Sequence, residues 1–214
     1  MPLHYFESMN NPVIRKYVSV DNRSVKVNGT GLLLNEQGAD FGEFMKQIYH
    51  SCSISYLKFF KMDPQSKLGF VAAKILLQDD DRDRFEPEEK AIVLANSASS
   101  LNTDEKYFES INDIPSPAVF VYTLPNIVAG EICIHHNLKG ENTFFIQEES
   151  DIQFMVSYLN ILFNTTSTRK VIAGWVEVDL ADNYRAFLMD VEKENGGESQ
   201  GNFTVDFIHQ IFKL

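Results

Sequence analysis

The sequence predicts an α/β fold with a mixed, mostly buried sheet, and three observations carry that reading. The runs at 91–97 ("AIVLANS") and 170–180 ("KVIAGWVEVDL") are almost continuously apolar, as in strands covered on both faces. The stretches at 65–78 and from Asp151 onward repeat apolar residues at helical spacing. Helical and strand patterns also alternate along the chain, which is the order expected when helices cover a sheet.

Each element follows from its own residues. Residues 1–23 have weak patterning and read as an N-terminal arm or edge segment. "SVKVNGTGLLLN" (24–35) alternates and then turns apolar, with Gly29 and Gly31 inside it, and reads as one strand with a close backbone approach. Phe41, Phe44, Ile48 and Tyr49 fall on one helix face within 39–51. In 65–78, Leu68, Val71, Ala72, Ile75 and Leu76 line one side of a strong helix. "DDDRDRFEPEEK" (79–90) is a charged, solvated connection that leads into the strand at 91–97.

A short helix is expected over 103–111 with Thr103 as N-cap. The segment 116–126 reads as an extended run stopping at Pro125, which opens the next helix, and Gly140 closes the turn after it. "NTFFI" (142–146) is a short strand. Ile152, Met155, Val156, Leu159 and Phe163 then form a broad buried helical stripe. After the strand at 170–180, "YRAFLMDVEK" (184–193) fits a strand or a helix by periodicity alone. "ENGGESQGN" (194–202) is a Gly-rich linker, and the last residues to 214 form a terminal helix.

Composition narrows the function classes. The 214 residues include 44% hydrophobic positions and 17 phenylalanines, enough for one well-filled core. A net charge of -11 without any basic run argues against nucleic-acid binding. The start has no apolar signal-peptide region, and no apolar run is long enough to span a bilayer, so a soluble cytoplasmic protein is expected. Cys52 and Cys133 have no metal or disulfide spacing, and Cys133 reads as a small core filler. The adjacent pair His135 and His136 would point about 100° apart on a helix, which disfavours a shared metal. Neither a metal nor a cofactor is expected. The nucleophile-elbow, phosphate-loop and complete dinucleotide-loop patterns are absent.

One corner remains. A strand at 142–146 runs into a helix whose opening carries Glu148, Glu149 and Asp151. Carboxylates near a helix N-terminus are stabilised by about 0.3–1 kcal/mol each, so capping accounts for them without chemistry. A glycosidase pair needs its acids about 5 Å or more apart across a sugar, which neighbours on one corner do not provide.

The order of segments resembles the N-terminal half of the β-ketoacyl synthases, whose fold is thiolase-like. "VKVNGTGLLL" resembles their first strand, and "FFKMDPQSKLGFVAAKILL" their R-x-M-D-x-x-S segment. The sharpest likeness is "SPAVFVYTLPNIVAGEICIHHNLKGENTFFI", which is similar to the family's T-L-P-N-x-x-A-G…G-P-N pattern. "VIAGWVEV" resembles the A-G-G-V-E strand, and "RAFLMDVEKE" a later one. The likeness runs in order from about residue 24 to 193, so a ketosynthase-like domain is expected there, flanked by 1–23 and 194–214.

The resemblance implies a thiolase-like half-domain, a mixed sheet covered by helices. It places the nucleophilic cysteine where this chain has Glu149, and the catalytic histidines in a second half beyond Leu214. Condensation needs a thiolate to carry the acyl chain and imidazoles to stabilise the enolate. No condensing activity is therefore expected of this chain alone.

The implied role is a chain-length-factor-like subunit that pairs with a full-length ketosynthase as a heterodimer, or with itself in isolation, and serves an acyl carrier protein indirectly. The settings implied are fatty-acid-like, polyketide or aryl-polyene and flexirubin-type synthesis. Phe144, Phe145, Ile146 and Phe154 would meet the partner, with Met155 beside them. Glu148, Glu149 and Trp175 would line the former acyl site, with Trp175 where the family usually has glycine. The alternative is a stand-alone acyl-binding protein or acyl-thioester enzyme using Glu149.

Overall fold

The computed structural model describes residues 12–36, 38–78, 84–112, 114–193 and 197–212. Among these residues eight strands form one mixed sheet, and helices cover both faces. The strand order is β3-β2-β1-β7-β6-β4-β5, where β1 is Val13–Asp21, β2 Ser24–Val27, β3 Thr30–Leu34, β4 Lys90–Asn96, β5 Asn142–Ile146, β6 Lys170–Val178 and β7 Tyr184–Glu192. A two-residue β8 (Gly201–Asn202) pairs with Val13 and Ile14 of β1. The strands β6, β4 and β5 run parallel, and the other pairings are antiparallel.

The strands at 90–96 and 170–178 are buried at every position, as their almost continuous apolar runs lead one to expect. One face of the sheet is covered by α1 (Phe41–Ser51), α2 (Pro64–Leu76) and α5 (Ile127–His136). Within that layer α2 is buried on nearly all sides. Asp63 caps it by accepting from the Gln65 and Ser66 amides, and Pro64 occupies its first turn. Gly69 lets α5 approach closely, because a Cβ there would stand 2.4 Å from Val128. The other face packs against α6 (Ile152–Thr165) and α7 (Val205–Ile211) around Trp175, Phe187, Leu159 and Phe163.

Several expectations are corrected. Residues 13–21 are neither an arm nor an edge, since β1 is hydrogen-bonded to both β2 and β7; residues 1–11 lie outside the described residues. The single strand expected at 24–35 is a hairpin, turned by Asn28 and Gly29, both at positive φ. The third helix, α3 (Leu101–Ser110), begins after Ser100 rather than Thr103, whose hydroxyl instead donates to Asp63 at 3.2 Å. The run after Ser116 is helical (α4, Pro117–Val121), because the Ser116 hydroxyl accepts from the Val119 amide and Pro117 suits a first turn. The ambiguous 184–192 segment is a strand. Within the two predicted connections, residues 79–83 and 194–196 lie outside the described residues.

Candidate functional site

The carboxyl ends of the parallel strands β4, β5 and β6 meet at one end of the sheet, the end where open α/β sheets bind ligands. There β5 turns into α6. The Gln147 amide donates to the Asn96 carbonyl at 2.9 Å and ends the β4–β5 ladder. Asp151 is the N-cap of α6, accepting from the Phe154 amide at 2.8 Å. Glu148 and Glu149 are not in the helix, contrary to expectation. They are exposed in the bend before it, because Asp151 has already taken the capping position.

Trp175 is brought to this corner from β6, on the inner side. It lines a cavity of about 20 Å³ with Ala95, Ser150, Ile152 and Met155. Ile208 of α7 and Phe212 just after it close the cavity, and the Phe212 ring meets Phe187 edge-on at 4.8 Å. That volume accommodates about one water and no acyl chain. Glu148 and Glu149 instead line an open depression of about 530 Å³ outside the corner, with His209. Trp175 and the two glutamates thus face adjoining spaces that share Gln147, Ser150, Asp151 and Ile152 as a common wall.

Gly174 fixes where the indole sits. Its φ is +156°, and a Cβ would stand 1.9 Å from the Phe187 carbonyl oxygen, so β6 and β7 approach here as only glycine permits.

Sequence reading missed the polar centre of this end. Glu177 on β6 accepts from the Ser97 and Ala98 amides at 3.1 and 3.2 Å and from the Ser97 hydroxyl. Its other oxygen accepts from Trp175 Nε1 at 3.0 Å, and Arg185 stands 3.6 Å away. Burial acts to raise the Glu177 carboxyl, but the Ser97 and Trp175 hydrogen bonds and the Arg185 charge outweigh it and hold it below the usual range. The carboxylate thus fastens the loop after β4 to β6. Asn96, fully buried, fastens the same loop to α2 by donating to Gln65 Oε1 and to the Ser99 carbonyl. The almost continuous apolar run of β6 is interrupted at Glu177, the one signal the sequence offered.

The side chains of Phe144 and Phe145 leave opposite faces of β5 into the two helical layers, each half-buried. Phe145 meets Phe154 and Tyr158 edge-on at 4.8 and 5.0 Å, so Phe154 belongs to that ring cluster. Ile146 is exposed. The strand itself is the last in the sheet, and among the described residues no strand pairs with its outer edge. The Ile92 amide donates to the Glu141 carbonyl and the Gln147 amide to Asn96, so by two-residue alternation Asn142, Phe144 and Ile146 direct their backbone groups outward.

Neither thiol is activated. Burial pushes Cys133 up to about 11 and also raises Cys52. Among the described residues no group of three or more His, Cys, Asp or Glu side chains is placed to hold a metal, and no helix is long and apolar enough to cross a membrane.

No protein-family model and no curated protein matches the chain. Solved structures do. A chain of the ishigamide ketosynthase/chain length factor superposes with a TM-score of 0.61 at 19% identity, over 88% of this chain and 64% of that one. A chain of the ketosynthase ApeO in complex with its chain length factor ApeC, from Xenorhabdus doucetiae, gives 0.57 at 13%, over 87% and 80%. AntDE:AntF, a type II polyketide synthase acyl-carrier protein in complex with its ketosynthase, gives 0.58 at 14%, over 86% and 62%. The chain spans less than two thirds of the first and third of these. Its fold is the thiolase-like α/β fold of the ketosynthase and chain length factor structures.

Proposed function

We propose that this chain is a ketosynthase-like partner subunit, without condensing activity of its own, that pairs with a full-length ketosynthase through the free edge of β5. The observation that carries the reading is that edge: a strand with outward backbone groups, last in the sheet, in a fold shared with chains from ketosynthase–chain length factor complexes. The likeness to the ApeO–ApeC structure covers similar shares of both chains, so a chain of comparable length occurs in such a complex.

Inactivity is supported by three features. The position where the resemblance places a nucleophilic cysteine holds Glu149, both cysteine thiols are raised by burial, and the cavity at the corner has no room for an acyl chain. The same cavity size weighs against a stand-alone acyl-binding role. Polyketide, fatty-acid-like and aryl-polyene synthesis are the settings this role would serve, with an acyl carrier protein meeting the ketosynthase rather than this chain.

The test is affinity purification of the tagged chain from its native host, with identification and quantification of co-purifying ketosynthase. Ile146→Pro removes an outward amide from β5 and leaves the β4 ladder intact. A stoichiometric ketosynthase that is lost with Ile146→Pro is the expected result. Recovery of the chain alone, as monomer or homodimer, would overturn the role.

A further inference from the structure

Seven of the fifteen large apolar side chains that stand exposed among the described residues fall between 101 and 124. Phe108 is 70% exposed and Ile114 79%, and Ile111, Phe120, Val121 and Leu124 are about half exposed. Tyr107 and Phe120 bring α3 and α4 together with ring centroids 5.2 Å apart. Concentration of this kind marks an interaction surface, whereas scattered single residues would need no account.

The surface is firmly mounted. The Ser100 hydroxyl donates to the Thr123 carbonyl at 2.6 Å, and the Tyr122 hydroxyl to Glu131, which also binds Lys58 at 2.7 Å. It also adjoins the end of β5 through a short relay: Gln65 donates to the Pro125 carbonyl, Asn96 donates to Gln65, and Gln147 donates to Asn96. The apolar side chains after Ser116 and the exposed Ile146 thus border one end of the sheet.

Area requires the two to act together. A stable interface buries about 1,200–2,000 Å² in total, with roughly 20–30 residues on each side. The edge of β5 supplies five residues. Charge indicates what lies opposite. Glu105 and Glu109 are exposed on α3, and Glu141, Glu148 and Glu149 flank β5. Lys139 is paired with Glu88, and Lys106 is the one cation of α3 against Asp104, Glu105 and Glu109. Two such faces would repel each other, in a chain already carrying a net charge of -11.

We infer that the exposed apolar surface of α3 and α4 is the second contact of the β5-edge interface, and that the ketosynthase seated on it presents an apolar centre with a basic rim. The inference rests on the ketosynthase-partner reading, and the test separates the two. A benzophenone-bearing amino acid is introduced in place of Phe120 in one variant and of Ile146 in another, and each full chain is photo-crosslinked in its native host. The crosslinked chains are identified by mass spectrometry.

The expected result is the same ketosynthase at both positions. Capture of the ketosynthase at 146 but not at 120 overturns the second contact and leaves the partner reading standing. Capture of a second copy at 120 overturns the basic-rimmed partner, and capture of no ketosynthase at either position overturns both. Glu105→Lys with Glu109→Lys, two exposed substitutions, should cut the yield at 146 at least fivefold with no change in melting temperature. An unchanged yield refutes the charge assignment.

Discussion

Replacing Glu177 with glutamine should destabilise the protein by about 3 kcal/mol at neutral pH. The carboxylate accepts two amides and a hydroxyl at one oxygen, and the Trp175 indole N–H at the other, where Arg185 also approaches. Glutamine keeps one acceptor oxygen. If it serves Ser97 and Ala98, those bonds fall from the charge-assisted range of about 1.5–3 kcal/mol to about 0.5–1.5. The new amide group then faces the indole N–H donor to donor, and leaving that buried donor unsatisfied adds about 1–3 kcal/mol. In a chain of this size about 3 kcal/mol lowers Tm by roughly 6–12 °C.

The pH dependence has a definite sign. The folded Glu177 carboxyl lies below its usual range, so its stabilisation is complete above the unfolded-state pKa and is lost as pH falls through the folded-state value. Glutamine imitates the protonated acid, so the gap between wild type and variant should be full at pH 7 and narrow toward pH 3. Urea titrations read by fluorescence report from the site itself, because Trp175 is the single tryptophan. A gap below about 1 kcal/mol at pH 7, or one that persists undiminished at pH 3, would refute the anchoring argument.

Two further perturbations test the same region. Gly174→Ala places a Cβ against the Phe187 carbonyl at 1.9 Å and should abolish soluble folded protein; a cooperative melt close to wild type would show that β6 and β7 can separate there. In a Cys52→Ser background, Cys133 should react with iodoacetamide at pH 7.5 roughly 100-fold more slowly than a free thiol of ordinary pKa, and faster as pH approaches about 11. Alkylation at the free-cysteine rate would show an accessible thiolate.

The interior of the fold was legible because its strands are covered on both faces. The runs at β4, β5 and β6 and the stripes of α2 and α6 lie within a residue or two of their expected bounds. The strand β1 was hidden by a register shift between Ile14 and Lys16, which breaks the two-residue alternation near its start. Asn28-Gly29 is a hairpin signal, and its two positive-φ residues make a turn rather than a close approach within one strand. Val119, Phe120 and Val121 favour extended backbone, and that preference masked the Ser116-Pro117 helix start. At the candidate site, the strand-to-helix corner was legible from local pattern. The link from Glu177 to Ser97 was not, because it joins residues 80 apart in sequence.

The place of β1 in the sheet sets the order in which the chain can fold. Val20 pairs with Ala186, so the first strand waits until the seventh has been made. At roughly 5–20 residues per second on the ribosome that wait is roughly 10–30 s. During it the β1–β3 hairpins have one another and α1 and α2 for company, but no central strand to dock on. The last of the described strands, β8, then pairs with Val13 and Ile14 at the start of β1. Until β7 is made, the edge of β1 that pairs with it has no partner, and the apolar side chains of Val18 and Val20 wait beside that open edge.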